Sequence, residues 1–330
     1  MRLEGVGESP MYQKILEYLY QKYFLKNFSP TEVTSSHWKT IGGHDVKWDN
    51  GAFILKGQGF GVFRTDSFTN RALSFSEEIL SRYLLRKFNC PTTLASSGRK
   101  IANQQGRVFV FDCAKQLLSI ASILESLPKG ASQNDLGLCA RGIKVVCVIG
   151  DGYGYATSLV RQLDPQTKIL CINLGKTLMF DVYYTQKSLP NARVAIIRKE
   201  GEGEKLINDN DIVFMEAENY HLLMDLPIDL FINIASMQEM NQKTIDLYFS
   251  HMRSSTSDRI LFYCCNRLEK RLPDGEISIF NQYPWRNEDK ILLDEICPWY
   301  KKFPISRPPF WRTPDGPHQH RLAILQKETH

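Results

Sequence analysis

Val145-Val-Cys-Val-Ile-Gly-Asp-Gly-Tyr-Gly-Tyr155 is the stretch on which the fold turns. Five apolar residues, mostly β-branched, run without interruption into Gly150, Gly152 and Gly154. Such a run predicts a strand buried on both faces, as in a parallel sheet. Glycines directly behind it let backbone approach a ligand and aim free helix N–H groups at it. Leu159 and Val160 mark the apolar side of the helix expected next. The alternative is a tight turn that binds nothing.

Towards the C-terminus the same rhythm repeats. Lys168–Ile172, Ile212–Met215, Leu230–Ile234 and Ile260–Tyr263 predict further buried strands, and Leu322–Leu325 a closing one. Met179, Val182, Tyr183 and Leu189 fit one helix face, and residues 245–252 a second helix. Strands alternating with helices predict an α/β fold, a doubly wound Rossmann-like sheet of about seven strands over residues 136–330.

Towards the N-terminus the pattern is mainly helical. Tyr12, Ile15, Leu16, Leu19, Tyr23 and Phe24 recur at helical spacing until Pro30. Residues 38–66 scatter Trp38, Trp48, Phe53, Phe60 and Phe63 among glycines, which reads as loop and turn. Ile79, Tyr83, Leu84 and Phe88 suggest a second helix. A third carries Leu117, Leu118, Ala121 and Leu124, with Asp112 as N-cap and Pro128 as its end. Residues 129–136 are polar and small, which places the joint of two domains there, 1–135 and 136–330.

Composition narrows the classes. A chain of 330 residues, 43% hydrophobic and 23% charged, has the apolar content for a sizeable core and is not a disordered chain. Its net charge of +5 is spread without a like-charge block, so no nucleic-acid groove is implied, while an anionic small ligand is compatible. No apolar run approaches a bilayer span, and Met1 to Gln13 has no signal core. The eight cysteines form no Cys-x-x-Cys pair, so a zinc cluster is not expected and a reduced, cytoplasmic setting is.

Spacing bears on the ligand. A dinucleotide fingerprint would need its third glycine where Tyr155 stands, and no Gly-Lys-Ser/Thr closes a phosphate loop. Gly-x-Gly-x-Gly is the commoner form in S-adenosylmethionine-dependent methyltransferases. The second strand ends at Asn173, where a carboxylate usually accepts both ribose hydroxyls; an amide offers one acceptor and a donor. Capping the strand end is the other reading of Asn173. In Asp229-Leu-Phe-Ile-Asn-Ile-Ala-Ser-Met-Gln-Glu-Met240, a strand runs into a polar loop. Ligands of parallel sheets bind at that edge, which brings Asn233, Ser236, Gln238 and Glu239 to the site. Glu239 equally suits the first turn of the next helix.

The chain here resembles the bacterial sugar O-methyltransferases. The resemblance is carried by Ile149-Gly-Asp-Gly-Tyr-Gly154, Phe180-Asp-Val-Tyr-Tyr184, Phe262-Tyr-Cys-Cys-Asn-Arg267 and, above all, Asn233-Ile-Ala-Ser-Met-Gln-Glu-Met240. It extends from about residue 100 to the C-terminus. Val148 and Asn173 depart from it, since acids are usual at both places. The resemblance implies S-adenosylmethionine as cofactor and a free, nucleotide-linked or glycan-bound sugar as acceptor. A homo-oligomer is compatible with it.

Sheet topology then sorts the residues. Gly150, Asp151, Gly152 and Gly154 are expected around the methionine and ribose, Asn173 and Leu174 at ribose and adenine, and Glu216 and Ala217 beyond the adenine, with Asn233 close by. A closing antiparallel hairpin would raise its turn, with His318 and His320, over the cleft opposite Glu239. A His–Glu pair would serve as the base. Trp285 and Trp311 are candidates to stack on a sugar, or to cover the core, and Arg286, Arg307, Arg312 and Arg321 to hold a phosphate. Two other readings stay open. The missing acids favour a methyltransferase-like binding or scaffolding subunit, and an NAD-dependent enzyme is disfavoured by Tyr155.

Overall fold

The computed structural model describes residues 10–25, 44–49, 52–57, 68–128, 137–224, 226–301, 303–304 and 311–328. The first described element is helix α1 (Pro10–Tyr20), which widens into a π turn over Gln21–Leu25. Strands β1 (His44–Asp49) and β2 (Ala52–Gly57) follow as an antiparallel hairpin, where the sequence reads as loop. Val46 and Trp48 alternate with Asp45, Lys47 and Asp49, and residues 52–55 are apolar throughout, but the surrounding glycines masked both signals. Helices α2 (Phe68–Lys87), α3 (Thr92–Gln104) and α4 (Phe111–Ser126) complete the N-terminal part. The N-cap of α4 is Val110; Asp112 lies in the first turn and pairs with Lys115 instead. On α2 the buried face is Leu84 and Leu85, while Ile79 and Tyr83 are exposed. Pro30 and the joint at 129–136 lie outside the described residues.

Strand β3 (Val145–Ile149) then leads to α5 (Tyr155–Leu163), β4 (Lys168–Asn173), α6 (Gly175–Ser188), β5 (Val194–Ile197), α7 (Gly203–Asp209), β6 (Ile212–Glu216) and β7 (Leu230–Ile234). After α8 (Gln242–Arg253) come β8 (Ile260–Arg267), a small hairpin of β9 (Glu269–Arg271) and β10 (Ile277–Ile279), and β11 (Lys290–Ile296). The two-residue strands β12 (Phe303–Pro304) and β13 (Trp311–Arg312) precede β14 (His318–Leu325). One eight-stranded sheet has the order β5-β6-β4-β3-β7-β8-β14-β11. Its first six strands are parallel, and β14 runs antiparallel to both its neighbours. The expected α/β, Rossmann-like sheet is therefore present, with one strand more than the rough count.

Every residue of β3 is buried, as its unbroken apolar run requires. On one sheet face Val146, Val148, Leu230 and Ile232 share a cluster with Leu94, Ile101, Leu117 and Leu118 of the N-terminal helices. These helices thus form the layer over that face, with α1 laid along α6. The other face is covered by α8 and by Phe280, Tyr283 and Trp285. Arg253, at the end of α8, is buried and forks onto Asp289, Nη1–Oδ1 2.7 Å and Nη2–Oδ2 2.8 Å. The same guanidinium donates to the carbonyls of Pro284 and Gln326, which ties the C-terminal strands to α8.

Candidate functional site

The glycine turn begins at the carboxyl end of β3 and delivers the chain to α5. Gly150, Gly152 and Gly154 all have positive φ, which a side chain would resist. At Gly150 an added Cβ would meet Ser236 of the loop after β7, 2.6 Å from its Cβ. At Gly154 it would press on Thr185 and lie 2.6 Å from the carbonyl oxygen of Asp181. Asp151 closes the turn from within: its carboxylate accepts from the amides of Ala156 at 3.0 Å and Thr157 at 2.7 Å. It therefore caps the helix that was expected to face the ligand with open N–H groups. Tyr155 is buried and donates to the carbonyl of Gly98 on α3 at 2.9 Å, so its ring fills the space between helices.

Two adjoining hollows share Gly150, Asn173 and Ser236. One is largely apolar, lined by Ile172, Leu174, Ala217, Met240 and Tyr248. The other is polar, lined by Arg107, Asp112, Lys115 and Gln116 from the α4 side and by Asp151, Tyr153, Thr177 and Glu239. Asn173 stands between them. Its amide nitrogen donates to Asp181 at 2.8 Å, and its oxygen accepts from the amide of Leu174 at 2.9 Å. Asp181 also accepts from the amide of Gly154 at 2.9 Å. Burial, and then the charge of Asp151, push its carboxyl well above the ordinary range. Burial also raises Asp151, against its helix hydrogen bonds.

The Asn233–Met240 stretch is a brace. Asn233 is fully buried, donates to the carbonyl of Ile149 at 3.0 Å and accepts from the amide of Met237 and from Asn266. Asn266 accepts in turn from the amide of Gln238, and Gln238 from the amide of Arg267. Ala235 is held at φ +60° by this lacing. Asn233 thus shapes the loop and does not line the hollows. The product of the brace is the position of Glu239, which faces the polar hollow and pairs with Lys270 at 2.6 Å. Opposite it, Asp112 pairs with Lys115. Burial works to raise Asp112, but Lys115 and Arg107 outweigh it and hold the carboxyl below its usual range.

The expected His–Glu pair does not form. Both histidines lie within β14, not in a turn, because that strand begins at His318. His320 is buried with Nε2 3.1 Å from Glu295 and Nδ1 3.2 Å from the hydroxyl of Tyr263. His318 stacks on Tyr300 at 3.9 Å between ring centroids. Burial first, then Arg267, Lys115 and Lys270, push its ring down to about 3. Neither histidine lines the hollows.

Glu216 also departs from its expected role. Although it ends β6 opposite Asn173, it is fully buried and taken up by α1. It accepts from Tyr18 at 2.9 Å, from Lys22 at 2.7 Å and from Tyr23. Leu174 and Ala217 do line the apolar hollow. Trp285 packs edge-on against Phe249 at 4.9 Å and stacks on Phe262, covering the core. Arg321 lies over Trp285 and pairs with Asp294, and Arg286 pairs with Glu328. The side chain of Trp311 and all of Arg307 lie outside the described residues.

Sequence reasoning missed Arg107, Lys115, Gln116, Thr177 and Lys270. Their signal was available in part: Asp112, Lys115 and Gln116 are the polar positions of a helix whose other face is apolar. Among the described residues no group of three or more His, Cys, Asp or Glu is arranged to hold a metal ion, and no helix is long and apolar enough to cross a membrane.

No protein-family model matches the sequence, and no curated protein matches it. Solved structures of similar shape exist. Magnesium protoporphyrin IX methyltransferase from Synechocystis is 14% identical, over 74% of this chain and 99% of that one, with a TM-score of 0.40. A proposed O-methyltransferase from Nostoc punctiforme is 11% identical over 87% and 81%, also at 0.40. Phosphoethanolamine N-methyltransferase 1 from Haemonchus contortus, in complex with phosphoethanolamine and S-adenosylhomocysteine, is 13% identical over 78% and 50%, at 0.36. Identity and overlap at this level assign neither reaction nor substrate.

Proposed function

We propose that the chain is an S-adenosylmethionine-dependent methyltransferase whose acceptor is a hydroxyl of a small polar molecule, a sugar in free, nucleotide-linked or glycan-bound form. The observation that carries this reading is the divided cleft at Gly150, apolar beside Leu174 and Met240 and polar beside Glu239 and Asp112. An adenine ring asks for the first half and a polar acceptor for the second.

The lining suits that cofactor in chemistry, and the apolar hollow, about 20 Å³ as it stands, must widen to admit the adenine. Ile172, Leu174, Ala217, Met240 and Tyr248 would hold the adenine, and the turn at Gly150 the ribose and methionine. Asn173 keeps a lone pair on its oxygen for one ribose hydroxyl, where an acid would take two. Once bound, the cofactor supplies an electrophilic methyl group on a sulfonium. The chain positions the acceptor oxygen and takes its proton. Glu239 is the base in this reading, since the brace fixes it at the polar hollow and Lys270 orients its carboxylate. Buried and engaged elsewhere, His318 and His320 are left as structural residues.

Labelled S-adenosylmethionine should bind, and NAD should not displace it; displacement by NAD would favour the NAD-dependent reading. Incubation with a panel of sugars and nucleotide sugars, followed by mass analysis, should show a methyl gain. Methylation of a protein or a phenol, with sugars inert, would overturn the choice of acceptor. Glu239→Gln should bind the cofactor within twofold and lose roughly a hundredfold or more in turnover. Near-normal turnover would leave the mechanism without its base. A non-catalytic binding subunit is the second reading, favoured by Val148 and Asn173 at the two places where acids are usual; cofactor binding with no methyl transfer to any acceptor would support it.

A further inference from the structure

The apolar hollow is about 20 Å³ as it stands, against the roughly 300 Å³ or more of ordinary small-molecule sites. Two of its walls are the chain just after β4 and the chain just after β6. Leu174 follows Asn173, Ala217 follows Glu216, and Asn173 and Glu216 are partners in the sheet register. Tyr23 bridges these two segments. Its ring lies so close to Gly175 that an added Cβ there would overlap it, and its hydroxyl donates to Oε1 of Glu216. Lys22 reaches the same oxygen at 2.7 Å. Both residues belong to the π turn Gln21–Leu25, and such turns are rare and tend to stand at functional places.

The carboxylate of Glu216 is divided between two sets of donors. Oε1 is held by Lys22 and Tyr23 of the turn, Oε2 by Tyr18 of α1 at 2.9 Å and by Asn219 at 3.5 Å. Withdrawal of the turn would free one oxygen and leave the other answered. The rest of α1 need not move, because Tyr12, Ile15, Leu16 and Leu19 are buried and pack it on α6 and β5. The turn is the accessible part: the side chain of Lys22 is 34% exposed and Leu25 is 65% exposed. With no new donor, withdrawal takes the ammonium from a fully buried carboxylate, which is costly, so the turn rests closed.

We propose that the turn Gln21–Leu25 is a latch on the adenine end of the cofactor site. It closes the hollow through Tyr23 and, on opening, hands Oε1 of Glu216 to a donor of the nucleoside, an adenine amino group or a ribose hydroxyl. The proposal rests on the S-adenosylmethionine reading and adds to it how the cofactor is admitted. Such a latch weakens binding in proportion to the fraction of chains that stand open, so removing it quickens association and tightens binding together.

Stopped-flow mixing of S-adenosylhomocysteine with the full chain reads both rates. Tyr23→Ala should associate about tenfold faster or more, with dissociation changed by less than about threefold. Gly175→Ala should act in the same direction, since its methyl group expels the ring from the other side. Adding Glu216→Gln to Tyr23→Ala should keep the fast association and speed dissociation about tenfold, because a bond to a charged acceptor is lost. Thermal unfolding shows whether Tyr23→Ala is folded; should it not be, Gly175→Ala decides alone. Association at the parent rate or slower in these variants would overturn the latch, since Tyr23 would then be a fixed wall of the site. Dissociation unmoved by Glu216→Gln in the opened chain would overturn the transfer of Oε1. Failure of S-adenosylhomocysteine to bind the parent chain and every variant overturns the methyl-transfer reading, whereas binding at unaltered rates overturns the latch alone.

Discussion

The amide of Asn173 donates to the carboxylate of Asp181 across 2.8 Å, and this bond joins the end of β4 to the middle of α6. An acid at 173 would therefore face a second carboxylate, with Asp151 nearby as a third. Asn173→Asp is expected to destabilise the fold by about 3 kcal/mol, since buried like charges in contact force one to hold a proton. It should not tighten S-adenosylhomocysteine binding. The double variant Asn173→Asp/Asp181→Asn restores one donor and one acceptor and should recover most of the loss. Thermal unfolding of the three proteins checks this; a single variant as stable as the parent chain would refute the charge argument.

Gly150→Ala tests the close approach of turn and loop. Its Cβ would press on Ser236, and φ at this position is +74°. Strain and contact together should cost roughly 2 kcal/mol or more, with loss of cofactor binding. Adding Ser236→Gly removes the contact and leaves the strain, so the pair should recover part of the stability. Denaturant unfolding measures both, and full recovery would show that the backbone tolerates an L residue there.

Arg253 and Asp289 form a buried fork, so breaking it from one side leaves an unanswered charge. Arg253→Met is expected to cost about 3–5 kcal/mol, and Arg253→Met/Asp289→Leu distinctly less. Asp289 also accepts from the amides of Arg286 and Gln326, which the double variant forfeits, so recovery will be partial. A double variant worse than the sum of the singles would contradict this account.

Stability should fall on acidification through His318. In the unfolded chain its ring gains a proton near 6.5, but in the fold only at about 3. The unfolded state therefore binds more protons between these values. The contribution is whole above pH 6.5 and is lost as pH falls, by up to about 1.4 kcal/mol per unit. His318→Phe keeps the stack on Tyr300 and removes the titration. From pH 6.5 to 4.5 the variant should gain on the parent chain by about 2 kcal/mol in denaturant unfolding. Parallel pH curves for the two proteins would exclude His318 as the cause.

Strands on the inside of the sheet were legible because burial on both faces writes an unbroken apolar run, as in Val145–Ile149. The edge was not. Strand β11, Lys290–Ile296, has one neighbour and largely accessible side chains, so Lys290, Asp294 and Glu295 hide it among polar residues. Helix α3 escaped notice because Ala95, Gly98 and Ala102 are small, and smallness at helical spacing reports close packing more faintly than bulk does. At the site, local spacing located the glycine turn and Glu239. It could not foresee that Glu216 is claimed by Tyr18, Lys22 and Tyr23 or His320 by Glu295 and Tyr263, since such pairings are settled between elements far apart in the chain.

Helix α1 leaves the ribosome well ahead of the sheet, and the carboxylate that anchors it is 198 residues further along from Tyr18. Until α6 and β5 have been synthesised, Tyr12, Ile15, Leu16 and Leu19 lack the elements against which α1 packs. At a synthesis rate of about 5–20 residues per second, that interval lasts on the order of ten seconds or more. The opening segment must then wait, apolar side out, for the edge of a sheet that does not yet exist. A nascent chain released before Gly175 should be captured by chaperones through this helix, and a chain carried past Glu216 should not.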